Sequence, residues 1–110
     1  QAKTRIPISD VEPFDMRMDT DSAFASVRGR VRNKNSRFTL TAIEFRFRIS
    51  DCQGATACDV VGEETENVNV SIPPGQVREF SDYVSFRGVG VHPSHLTRTW
   101  TYRITSVSGQ

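Results

Sequence analysis

Apolar and polar residues alternate with a period of two along most of the chain, and no segment sustains the i, i+3, i+4, i+7 stripe of an amphipathic helix. Phe14, Met16 and Met18 alternate with Asp15, Arg17 and Asp19, and turn-forming residues follow at positions 19–22. Ala23, Ala25, Val27, Gly29 and Val31 then share one face, with Ser26, Arg28, Arg30 and Arg32 on the other. After a polar break at 33–36, Ile43, Phe45, Phe47 and Ile49 face one way while Glu44, Arg46 and Arg48 face the other. Val68, Val70 and Ile72 alternate with Asn67, Asn69 and Ser71. Pro73-Pro74-Gly75 reads as a turn in which proline presets φ and glycine takes the positive-φ position. Phe80, Val84 and Phe86 form a further face, and Trp100, Tyr102 and Ile104 point inward from a last strand whose Thr99, Thr101 and Arg103 point outward.

This pattern predicts an all-β, immunoglobulin-like antiparallel β-sandwich of about seven strands, each sheet wet on its outer face. A sandwich is favoured over a barrel because the polar phase changes between Val31 and Ile43, as it would where the chain crosses from one sheet to the other. Residues 87–96 read as an irregular loop.

Composition agrees with this reading. Twelve Val and six Ile stand against two Leu, and β-branched side chains pack well on pleated sheets but lose rotamer freedom in helices. Twelve of the 14 basic residues are Arg, whose stems cover apolar surface while their heads stay wet. The 110 residues suit one domain, 1–110, long enough to bury roughly two thirds of its unfolded surface. With 14 basic and 13 acidic residues the net charge is +1, which argues against a nucleic-acid or polybasic membrane binder. No apolar run approaches the ~20 residues of a membrane span. The chain begins at Gln1 without a signal-like segment, so it reads as a mature or truncated form.

Cys52 and Cys58 bracket a loop-like Gln-Gly-Ala-Thr-Ala stretch. Their spacing fits neither a C-x-x-C redox pair nor zinc knuckles, and no other cysteine exists to complete a zinc site. A disulfide closing a hairpin is the expectation; it implies an oxidising compartment and adds roughly 2 kcal/mol for so small a ring.

Several residues resemble a known family. Gly29-Arg-Val31-Arg-Asn33-Lys-Asn-Ser36 resembles the G-x-V-x-N-x-x-S opening of FxLYD-type modules, sandwich domains of bacterial envelope proteins. Phe47-Arg-Ile49-Ser50-Asp51 is similar to their F-x-L-Y-D strand end, with Ile for Leu and Ser for Tyr, and Pro74-Gly75-Gln76 followed by Phe80 to their P-G-x turn and next strand. Asp51-Cys52, Cys58, Val61-Gly62-Glu63, Pro73-Pro74-Gly75-Gln76 and Trp100-Thr-Tyr102 resemble small alphaproteobacterial envelope proteins that carry a single sandwich module, often behind an N-terminal membrane anchor. The likeness implies a periplasmic or envelope location in a Gram-negative bacterium and allows an anchor outside this chain. Neither group has an assigned catalytic residue, so it implies no reaction.

Other constellations carry two readings each. His92 and His95 are either a weak metal pair or solvated loop histidines, and no nearby Cys, Asp or Glu completes a ligand set. Glu63-Glu64-Thr65-Glu66 lacks the spacing of a calcium loop and reads as a solvated turn. Gly88-Val-Gly90 lacks the third glycine of a dinucleotide loop. No G-x-S-x-G elbow is present. Arg28, Arg30 and Arg32 form one stripe, Arg46 and Arg48 another; they are either solvated sheet faces or surfaces for anionic glycans or lipid headgroups. Trp100 and Tyr102 are either a sugar-stacking platform or a core pair, and the core is expected. The chain is therefore expected to be a non-catalytic extracytoplasmic interaction or structural module with a protein partner, no cofactor and no nucleic-acid ligand, whose contacts lie near Asp51, His92 and His95. The alternative is a binder of anionic glycan or lipid headgroups through the arginine faces.

Overall fold

Among the described residues the alternating segments form seven antiparallel strands in two sheets. The structure is a computed structural model and describes residues 3–20, 24–90 and 93–110. The strands are β1 (Thr4–Arg5), β2 (Val11–Asp19), β3 (Phe24–Asn33), β4 (Leu40–Gln53), β5 (Ala57–Ile72), β6 (Val77–Ser85) and β7 (Thr97–Gly109), with a 3-10 turn at Ile8–Asp10. The larger sheet has the order β1-β7-β4-β5 and the smaller β2-β3-β6. β3 and β4 therefore lie in different sheets, the crossing implied by the phase change between them. The Asp21-Ser22 turn, the inward place of Ala23 and the position of His92 lie outside the described residues.

The core is built from the inward faces of both sheets. Val27 and Val31 on β3, Ile43, Phe45, Phe47 and Ile49 on β4, and Val84 on β6 are buried. The Phe45 ring stacks on Phe47 at 5.4 Å and, across the sandwich, on Phe80 of β6 at 5.3 Å. Removing one such phenyl group costs about 3–5 kcal/mol. Gly75 takes φ +77° in the turn between β5 and β6, as the Pro-Pro-Gly sequence predicts.

Asn33, at the end of β3, is fully buried and uses its whole side chain. Its Nδ2 donates to Phe38 O and Ile72 O, both at 2.8 Å, and its Oδ1 accepts from Asn35 N at 2.9 Å. Its backbone also accepts from Gly75 N at 2.8 Å and donates to Gln76 O at 2.9 Å. One residue thus pins the β3–β4 loop and the β5–β6 turn to each other, a reason for asparagine at this point of the Gly29–Ser36 motif.

Three expectations are corrected. Phe14 does not share a face with Met16 and Met18. A bulge at Asp15 (φ 53°) shifts the register between Phe14 and Arg17, so Phe14 pairs with Arg30 on the outer face while Met18 pairs with Val27 on the inner one. One extra residue flips every following side chain. Gly29 opposes this bulge, and a Cβ there would collide with the Met16 sulfur.

Second, Glu63-Glu64-Thr65-Glu66 is no turn but part of β5, which runs on to Ala57 as the second arm of a long hairpin with β4. Third, Trp100, Tyr102 and Ile104 face inward as expected, opposite Ile49, Phe47 and Phe45, yet are only half-buried. β6 abuts β5, which puts β2 on the β7 side. There three strands cover four, and the β7 margin of the core stays open.

Candidate functional site

Most of the arginines expected to form anion-binding faces are neutralised within their own sheets. On the small sheet Arg30 is bound by Glu79 at 3.3 Å and lies 3.9 Å from Asp15, while Arg32 is bound by Glu12 at 3.2 Å. On the large sheet Arg46 and Arg48 both bind Glu63, and the Arg46 hydrogen bond is the main reason the Glu63 carboxyl titrates below its ordinary range. The two stripes lie on opposite sides of the sandwich and do not form one patch.

Arg28 is the exception. It stands directly opposite Arg17 of β2, and neither guanidinium has a carboxylate within ion-pairing distance among the described residues. Like charges directly opposed on neighbouring strands are destabilising. The bulge at Asp15 creates this apposition, because it turns Arg17 onto the outer face. Next along the strands come Ser26 and Tyr83, paired in register, then Phe24. Tyr83 is 77% exposed and Phe24 70% exposed. Shallow concavities of about 460 and 500 Å³ run along this face and share Arg17, Arg28 and Ser81. Asp15, Glu79 and Glu12 border it, so the face is a mosaic of both signs around one unneutralised arginine pair. The sequence pattern had offered Arg28 but neither Arg17 nor Tyr83, whose relation to it depends on strand pairing.

The tip of the β4–β5 hairpin is closed by the Cys52–Cys58 disulfide, the two residues facing each other in register. Asp51 is not a presented contact residue. It is 7% exposed and receives Arg98 of β7 in a bidentate pair, Nε to Oδ1 at 2.8 Å and Nη2 to Oδ2 at 3.1 Å. Arg98 Nη1 also donates to Gly90 O at 3.0 Å, which ties the 87–96 loop to the sheet. His95 is exposed, in a shallow cleft with Gln53, Asp59 and Leu96 beside the disulfide.

A different set of charges points inward at the β5–β6 seam. Glu64 and Glu66 sit opposite Phe47 and Phe45 on the core face of β5, and Asp82 opposite Val27 on the core face of β6. Burial first, then the adjacent Asp82 carboxyl and Glu64, push Glu66 up to about 7. The Asp82 Oδ2 atom is buried without a hydrogen-bond partner, and a proton on the neighbouring Glu66 would offer it a donor. Inward-pointing charges on edge strands discourage edge-to-edge pairing. The described residues contain no group of three His, Cys, Asp or Glu suited to a metal and no helix long and apolar enough to cross a membrane.

No protein-family model, curated protein or solved structure matches this chain.

Proposed function

We propose that this protein is a non-catalytic extracytoplasmic module, placed in the periplasm or cell envelope of a Gram-negative bacterium, that binds a protein partner through the outer face of its small sheet. The observation that carries this reading is the opposed Arg17–Arg28 pair beside the exposed Tyr83. Arginine and tyrosine are the residue types on which binding energy concentrates, and a partner carboxylate seated between the guanidiniums would relieve their repulsion. The bordering Glu12, Asp15 and Glu79 suit a partner with its own charge mosaic better than a uniform polyanion, which they would repel. The disulfide and the likeness to envelope sandwich modules support the location.

The second reading, a binder of anionic glycan or lipid headgroups, rests on the same arginine pair. Photo-crosslinkers at Ser81 and, as a control, at Thr65 on the other sheet separate the two. A partner joined only from Ser81, and lost in an Arg17→Glu, Arg28→Glu double variant that still folds, supports the protein reading. Retention of a sulfated glycan or of anionic vesicles that falls steeply with added salt, with no protein crosslinked, replaces it by the second.

A further inference from the structure

The fold leaves four long strands at or near sheet margins, and three of them are guarded. β2 carries Pro13 and the Asp15 bulge, β5 carries Glu64 and Glu66 on its core face, and β6 carries Asp82 on its own. These are recognised devices for preventing strand addition. Between Thr99 and Ile104 β7 carries no proline and no inward-pointing charge, and its one bulge, at Thr105, lies just beyond Ile104. On the side away from β4 it is paired with β1 only at Ser108 and Gly109, with one further bond from Ile6 N to Val107 O. On that side, from Thr99 to Ile104, the described residues place no strand beside it, and this stretch reads Thr-Trp-Thr-Tyr-Arg-Ile, all of it suited to a strand except the arginine.

Both faces of this edge lack something that an added strand would provide. On the core face, Trp100, Tyr102 and Ile104 pack against the core but stay half-buried. On the outer face Arg103 stands directly opposite Arg46, and one carboxylate, Glu63, serves both Arg46 and Arg48. Among the described residues Arg103 has no acidic partner. A second copy joined β7 to β7 would not supply one, because residues 97–109 contain no Asp or Glu.

We infer that the Thr99–Ile104 edge of β7 is a strand-addition site. Its occupant is an extended segment of a partner protein, with apolar side chains on alternate positions over Trp100 and Tyr102 and an Asp or Glu on the outer face beside Arg103. Main-chain hydrogen bonds would give such a complex its affinity and the alternate side chains its specificity. This surface is separate from the Arg17–Arg28 face, and the inference stands even if that face binds nothing.

The test is a titration, followed by amide shifts and hydrogen exchange, with a capped synthetic strand alternating valine and threonine around one central glutamate. Protection confined to β7 amides between 99 and 104 is expected. A peptide with the same side chains, N-methylated at alternate residues, should bind about tenfold or more weakly. Arg103→Glu should weaken the glutamate peptide about fivefold and favour a lysine version. Arg28→Glu should change nothing. Equal binding of the N-methylated peptide, perturbations on β2, β5 or β6 instead, no perturbation up to the solubility limit, or a dimer of the protein alone that buries β7 would each overturn the inference.

Discussion

Asn33 offers the sharpest test of how this sandwich is held together. Asn33→Ala removes three side-chain hydrogen bonds, to Phe38 O, Ile72 O and from Asn35 N, at a fully buried position. At about 1 kcal/mol each, with part of the desolvation penalty of the stranded groups added, the loss comes to about 3–4 kcal/mol. That is a large share of the ~5–15 kcal/mol by which a domain is normally stable. Asn33→Asp keeps the shape but inverts the chemistry. An ionised carboxylate would set a negative oxygen against two carbonyl oxygens where Nδ2 now donates, so the fold raises the pKa of the new carboxyl. A folded-state pKa above the unfolded value means that the variant is least damaged below about pH 4 and loses further stability as pH rises through the raised pKa. Urea unfolding followed by the single tryptophan, Trp100, measures both variants against the parent at each pH. A cost below ~1 kcal/mol for Asn33→Ala with an unchanged denaturant slope, or no extra pH dependence in Asn33→Asp, would refute the reasoning.

Three further outcomes are expected. Glu66, raised to about 7, binds its proton more tightly folded than unfolded, so its contribution is complete below about pH 4.5 and lost as pH rises through 7; Glu66→Gln should therefore stabilise the protein at pH 8 by about 1–2 kcal/mol, after allowance for solvent at a half-buried site, with little effect at pH 4, as read by urea titrations at the two pH values. Asp51→Ala strands a buried Arg98 and should cost about 3–5 kcal/mol, whereas the Asp51→Leu, Arg98→Met pair should recover most of it; a double-mutant cycle by thermal unfolding checks both, and additive losses would contradict a coupled pair. Replacing Cys52 and Cys58 together with serine should cost roughly 2 kcal/mol and leave the far-ultraviolet circular dichroism unchanged; loss of the fold would show that the disulfide supports more than its own hairpin.

Much of the architecture was readable from side-chain alternation alone. β3 and β4 run through the middle of their sheets, so Val27, Val31, Ile43, Phe45 and Phe47 repeat every second residue and their positions follow from the pleat. The pairing of Cys52 with Cys58 and the positive φ of Gly75 followed from local chemistry as well. Tertiary structure decided the margins. The Asp15 bulge moved Phe14 outward and put Arg17 beside Arg28, because one inserted residue reverses a period of two and leaves no mark in composition. β5 hid its full length because a strand at the sheet margin accepts Gly62, Glu64 and Glu66 on its core face, which breaks the apolar pattern. Three strands packed against four left Trp100 and Tyr102 half-covered, which their own sequence could not show. The arginine stripes were visible, but which guanidiniums find a carboxylate depends on register between strands far apart in the chain. Register paired Arg30 with Glu79, Arg32 with Glu12 and Asp51 with Arg98, and left Arg17, Arg28 and Arg103 facing like charge.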